Sequence, residues 1–148
     1  KGQRAQTSCS LRQSRGMRIA QIKKRSDFLR IAAKNHTWAS PGLVLQVDRN
    51  NLHTSPNDSV LRIGYTASRR VGGAVKRNRA KRRLRATVAR VMPFHAKVGY
   101  DYVLIARAKT NDRNFSELSE DLFKALEKTG TSRKYIDINM KKSHEGSQ

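Results

Sequence analysis

Between Arg69 and Arg90 the chain carries ten lysines and arginines and not one acidic residue. The densest part reads Ala74-Val75-Lys76-Arg77-Asn78-Arg79-Ala80-Lys81-Arg82-Arg83-Leu84-Arg85. Guanidinium groups at this density suit the gripping of oxyanions, because the planar fork presents paired N–H donors to phosphate oxygens. Asn78 offers a donor and an acceptor to a base edge, a 2′-hydroxyl or a neighbouring backbone group. The candidate nucleic-acid ligands are Arg69, Arg70, Lys76, Arg77, Asn78, Arg79, Lys81, Arg82, Arg83 and Arg85.

Other chemistries are poorly supplied. His36, His53, His95 and His144 are scattered, and there is neither a CxxC nor an HExxH pattern, so a zinc site is not expected. Of eleven acidic residues, six lie between Asp112 and Asp137, where helix capping and solvation account for them. A nuclease carrying its own metal pair needs converging carboxylates, so no catalytic residue and no metal ligand is assigned. Cys9 has no internal partner, which fits a reducing cytoplasm. No apolar run approaches the length of a membrane span. The expected setting is therefore cytoplasmic, with no membrane and no small-molecule cofactor.

The whole composition points the same way. Thirty-two lysines and arginines face eleven acids across 148 residues, a formal charge of +21. Such a surplus repels itself in the folded state. A bound nucleic acid relieves that repulsion and releases its own counterions.

The basic run must be held by a scaffold, and its periodicity indicates how. At about 100° per residue, Ala80, Leu84, Val88 and Val91 form an apolar stripe, with Arg79, Arg82, Arg83, Arg85 and Arg90 turned away from it. Arg77 and Lys81 fall nearer the apolar side. Like charges at i, i+3 and i+4 disfavour an isolated helix, so helix stability does not explain the arrangement. A merely solvated face normally mixes signs, and this one does not. The spacing predicts a helix from Ala74 to about Met92, stopped before Pro93 and opened by Gly72-Gly73, a turn or a phosphate cradle without the Walker pattern.

The remaining elements form a small α+β unit. A first helix is predicted within Arg18–Lys34, capped by Ser26, with Phe28, Ile31 and Ala32 at helical spacing and Asn35 ending it. Leu43–Val47 reads as a strand after Pro41-Gly42, and Arg49–Asp58 as a turn. Val60–Ala67 alternates, with Leu61, Ile63, Tyr65 and Ala67 on one face and Arg62, Gly64 and Thr66 on the other. Asp101–Ala106, apolar on both faces, reads as an inner strand. Ser116 is the expected cap of a last helix stopped at Gly130. Tyr135–Ile138 reads as an edge strand or part of the tail. Residues 1–16 are expected to be a basic disordered extension, 17–130 the RNA-binding domain and 131–148 a mostly disordered polar tail.

At this point the residues resemble a known family. Leu61-Arg62-Ile63-Gly64, Ser68-Arg69-Arg70-Val71-Gly72, Ala74-Val75 and the Arg77–Arg82 run with Arg85 are similar to the signature of bacterial ribonuclease P proteins. Lys23–Phe28 resembles that family's first helix, and Asp101–Arg107 its later strand. The resemblance implies an α-β-β-β-α-β-α sandwich on a small mixed sheet, with a left-handed βαβ crossover against the usual rule. It implies the accessory subunit of a ribonucleoprotein that removes the 5′ leader of precursor tRNA. The partners would be one catalytic RNA per protein and precursor tRNA, with Mg2+ held mainly by the RNA subunit and substrate. It further implies a leader cleft at Phe28, Arg62 and Thr66, with Ala32 and Gln46 standing where members often carry further aromatics. The residues alone leave Phe28 a second role, as core beneath a short helix. Two rival classes remain, a ribosomal or other structural RNA-binding protein and a DNA-binding module, the latter without a helix-turn-helix pair.

Overall fold

A computed structural model describes residues 18–49 and 60–132. The order is β1 (Arg18–Gln21), α1 (Arg25–Ala33), β2 (Thr37–Ala39), β3 (Leu43–Arg49), β4 (Val60–Ala67), α2 (Ala74–His95), β5 (Tyr100–Ala106), a 3-10 turn (Ala108–Thr110) and α3 (Phe115–Lys128). This is the α-β-β-β-α-β-α order with one short strand added in front. The sheet runs β1-β4-β5-β3-β2 and is mixed. β1 and β5 lie parallel to β4, while β3 is antiparallel to both β5 and β2.

The strand β5 sits at the centre, which is why Tyr102, Val103 and Leu104 are all buried. One face of the sheet presents Leu43, Leu45, Val47, Leu61, Ile63, Tyr102 and Leu104 to α2 and α3, forming the main core. The other face is covered in part by α1, whose Ile31 packs with Ile22 and Val103 in a smaller cluster. α3 is fastened to the β2–β3 turn through Asp121, which accepts from the Gly42 N–H (3.1 Å) and pairs with Arg113 (2.6 Å).

Several boundaries depart from the sequence reading. α1 is preceded by Lys24 at its cap position, with no side-chain capping bond, rather than by Ser26. α3 is capped by Asn114, which accepts from the Glu117 N–H while Glu117 accepts from the Asn114 N–H, so Ser116 lies inside the helix. α2 runs through Pro93 to His95. A proline so near the end forfeits only its own N–H bond, and the Ala96 N–H still reaches the Met92 carbonyl at 2.9 Å. Asn35 and Gly130 do stop helices, both at positive φ (55° and 74°). The loop expected at Arg49–Asp58 falls mainly, and the Tyr135–Ile138 alternation and both proposed tails almost wholly, outside the described residues.

Candidate nucleic-acid interface

Two glycines open α2. Gly72 adopts φ +140°, a conformation closed to other residues, and Gly73 occupies the cap position. The tight turn before them, with N–H bonds from Val71 to Ser68 and Gly72 to Arg69, leaves Arg69 and Arg70 exposed. From there the stripe of Ala80, Leu84, Thr87, Val88, Val91 and Met92 is buried against the sheet and α3. Lys76, Asn78, Arg79, Arg82 and Arg85 are exposed, whereas Arg77 and Lys81 are half-buried, as the helical wheel indicates. Val75, Asn78, Arg79, Lys81, Arg82 and Arg85 line one shallow groove along the helix. Val75 stands 83% exposed inside it, an apolar contact among cations.

Arg83 belongs elsewhere. Its guanidinium donates to the carbonyls of both Asn111 and Arg113, and the Asn111 side chain in turn donates to the Lys76 carbonyl (3.1 Å). Arg83 thus ties the segment before α3 to α2, with much of its donor capacity spent inside the protein.

The sheet face beneath α1 is organised in rows across the strands. At one end Arg62, Asp101 and Asp48 lie side by side. Asp101, fully buried, accepts from Arg30 (2.6 Å) and Arg62 (3.0 Å), while Arg30 also pairs with Asp48 and Arg62 with Asp27 (3.0 Å). Burial works against the charge of Arg30, but its hydrogen bond to Asp101 and the fields of Asp101, Asp48 and Asp27 outweigh this and raise its pKa. In the middle row, Gly64, Val103, Gln46 and Thr37, the ring of Phe28 lies on Gly64 so closely that a Cβ there would meet it at 2.6 Å. The far row is Thr66, Ile105, Val44 and Ala39, of which half-buried Ile105 packs against the small cluster that α1 builds with Val103. Val44 and Ile105 line a cleft of about 540 Å³ that also touches Pro41, Ser68, Arg70, Arg107 and Lys109. Arg107 is anchored there by a bond to the Ser40 carbonyl (2.8 Å).

Of the expected leader residues, Phe28 and Thr66 therefore flank the open part of this face, and Arg62 sits at its closed end, spent on two carboxylates. Sequence reasoning passed over Arg30, Arg107 and Lys109, which lie on separate elements and show no common spacing. Among the described residues no group of three or more histidine, cysteine or acidic side chains could hold a metal ion.

A basic helix above a mixed sheet is common to many RNA-binding folds. What distinguishes this chain is that residues 17–130 match the ribonuclease P family model. The chain belongs to the ribonuclease P protein family. It is 49% identical over 117 residues to the ribonuclease P protein component of Paramagnetospirillum magneticum, covering 79% of this chain and 87% of that one. It is 39% identical over 110 residues to that of Caulobacter vibrioides, covering 74% and 70%. The fold is similar to the Staphylococcus aureus RNase P protein (29% identity, TM-score 0.59, 72% of this chain and 92% of that one). It is also similar to the Thermotoga maritima protein (24% identity, TM-score 0.60, 73% and 96%), a likeness of fold. The ribonuclease P protein is a subunit of an endoribonuclease ribonucleoprotein that processes tRNA, and membership implies association with ribonuclease P RNA. No helix among the described residues is long and apolar enough to cross a membrane.

Proposed function

We propose that this subunit binds the catalytic RNA through the exposed face of α2 and receives the 5′ leader of precursor tRNA on the open row of the sheet. The observation that carries the reading is the groove of Asn78, Arg79, Lys81, Arg82 and Arg85, cationic without an acidic neighbour on its helix. Lys76 and Arg77 extend it, and Arg69 and Arg70 continue it toward the cleft. The leader is single-stranded, and its bases would rest on Thr66, Ile105 and Val44, bounded by the Phe28 ring, with phosphates on Arg70, Arg107 and Lys109. Single-strand sites elsewhere pair a stacking floor with a basic track in this way. In this reading Arg62 holds α1 in place rather than touching RNA, and Arg83 braces α2. The reacting groups and Mg2+ belong to the RNA subunit and substrate, so the protein acts by binding and positioning.

Reconstitution tests both parts. Protein alone should leave precursor tRNA intact in Mg2+, and RNA plus protein should cleave it at lower Mg2+ than RNA alone. RNA-free cleavage by a nuclease-free preparation would refute the assignment. Arg79→Ala with Arg82→Ala should weaken RNA-subunit binding and flatten its salt dependence by about 0.7–0.9 in log–log slope per lost phosphate contact. An unchanged slope would show that the face is only solvated.

A further inference from the structure

A second concavity opens beside the basic groove, on the flank of α2 that meets β1 and β4. Its walls are Ile19 and Gln21 of β1, Ile63 and Tyr65 of β4, and Arg85, Val88 and Ala89 of α2, enclosing about 240 Å³. Arg85 lines both hollows, so the two adjoin at that residue. Each wall contributes a different chemistry. Ile63 and Val88 are buried and apolar, and Ile19 remains 42% exposed at the mouth. The Tyr65 ring, half-buried, lies under the Arg85 guanidinium at 5.3 Å from its centroid. Gln21 is exposed at the rim with a carboxamide that both donates and accepts. Ala89 lines the hollow and is exposed, with the smallest side chain among its walls, so a longer residue there would take up part of its space.

An aromatic ring, an arginine plane, apolar walls and one amide are the groups with which proteins hold an unstacked base. The faces of the base stack, and its edge is read by hydrogen bonds. We infer that this notch receives one unpaired nucleobase of the RNA that α2 binds, stacked on Tyr65 and Arg85 and read at its edge by Gln21. The sign of the surroundings selects this occupant. The adjoining face of α2 presents Arg79, Arg82 and Arg85 with no carboxylate, which suits the phosphates flanking an extruded base and repels a cationic peptide. The notch suits one ring system rather than a base pair. Burial pushes the Tyr65 phenol pKa up to about 12 despite the opposing field of Arg85, so the ring carries no negative charge against the flanking phosphates.

The inference rests on the α2 interface, and its test separates the two. Binding of the cognate ribonuclease P RNA is measured across a salt series for wild type, Tyr65→Leu, Tyr65→Phe, Ala89→Leu and Arg82→Ala. A stacked base lost with the ring corresponds to about 1–3 kcal/mol, or about 5- to 150-fold in affinity. Tyr65→Leu and Ala89→Leu should each lose affinity in that range with the salt slope unchanged, and Tyr65→Phe should retain it. Arg82→Ala should instead flatten the slope. Ala89 is exposed, so Ala89→Leu keeps the fold and decides the matter even if Tyr65→Leu lowers stability. Wild-type affinity in Ala89→Leu, with Arg82→Ala still flattening the slope, would overturn the notch and leave the α2 interface standing. No effect in Arg82→Ala either would remove the interface and the notch together.

Discussion

Phe28 and Gly64 are a matched pair: the ring occupies the space that any side chain at 64 would need. Gly64→Ala should push the ring off the sheet and lower the preference for precursor over mature tRNA, leaving RNA-subunit binding intact. Phe28→Ala should do the same. Because Phe28 is only half-buried, its truncation should cost less stability than the about 3–5 kcal/mol of a fully buried aromatic. Thermal unfolding run beside binding of the two tRNA forms checks both, and equal damage to both ligands would make Phe28 a core residue alone. Arg83 is the counter-example among the arginines. Arg83→Ala should lower stability by about 1.5–3 kcal/mol for each charge-assisted bond lost, with the RNA salt slope unchanged. A flattened slope would return Arg83 to the RNA interface. Tyr65 carries a pH signature. Its phenol pKa is raised from 10.0 to about 12, chiefly by burial, so its contribution to stability is full below pH 10 and lost as pH rises through 12. Tyr65→Phe should therefore lose less stability than wild type between those values in alkaline unfolding.

At the scale of elements, α1 is a short helix with no side-chain cap, and it depends on what it touches. Ile31 supplies the apolar anchor, and Arg30 with Asp27 supplies a polar one through Asp101, Asp48 and Arg62. This network fastens α1 over one end of the sheet face and leaves the Thr66–Ile105–Val44 row outside its polar anchorage. Two guanidinium groups converge on one buried carboxylate, so removing it takes a partner from both and leaves Arg30 with Asp48 and Arg62 with Asp27. Asp101→Ala should cost less than the about 3–5 kcal/mol of a buried pair left uncompensated, because each guanidinium keeps a carboxylate. Amide exchange should show α1 released first, because its polar anchor is weakened while the main core is untouched. Uniform loss of protection would indicate that α1 and the main core open as one unit.

At the scale of the molecule, the +21 charge sets two opposed salt responses. Free protein should gain thermal stability as ionic strength rises from about 0.01 to 0.15 M, since the screening length shrinks from about 30 to 8 Å and self-repulsion fades. Affinity for RNA should fall over the same range, because each released counterion gains less entropy in a more concentrated salt solution. Differential scanning of the free protein and a binding titration check the two limbs. A melting temperature that falls with salt would mean that attractive pairs such as those around Asp101 outweigh the surplus.

The basic helix was legible because sign and period are local properties: ten cations without an acid and a 3.6-residue stripe need no knowledge of the rest of the chain. Alternation in β4 and the two-sided apolar run of β5 were legible for the same reason, and with the Arg-Asn-Arg motif they sufficed for the family. β1 and β2 were not. Each has three or four exposed residues and owes its strand conformation to a neighbour that only the folded sheet provides. The different fates of equal arginines were also hidden. Arg82 and Arg83 are adjacent in sequence, yet one faces solvent and the other meets two carbonyls about 30 residues away. Arg62 resembles a ligand in sequence until Asp27 and Asp101 are brought against it. Residue type and spacing determined the family of this chain and which helix concentrates its cations. Which of those cations stay exposed was decided by tertiary structure, because long-range partners consume charges that the sequence displays as identical.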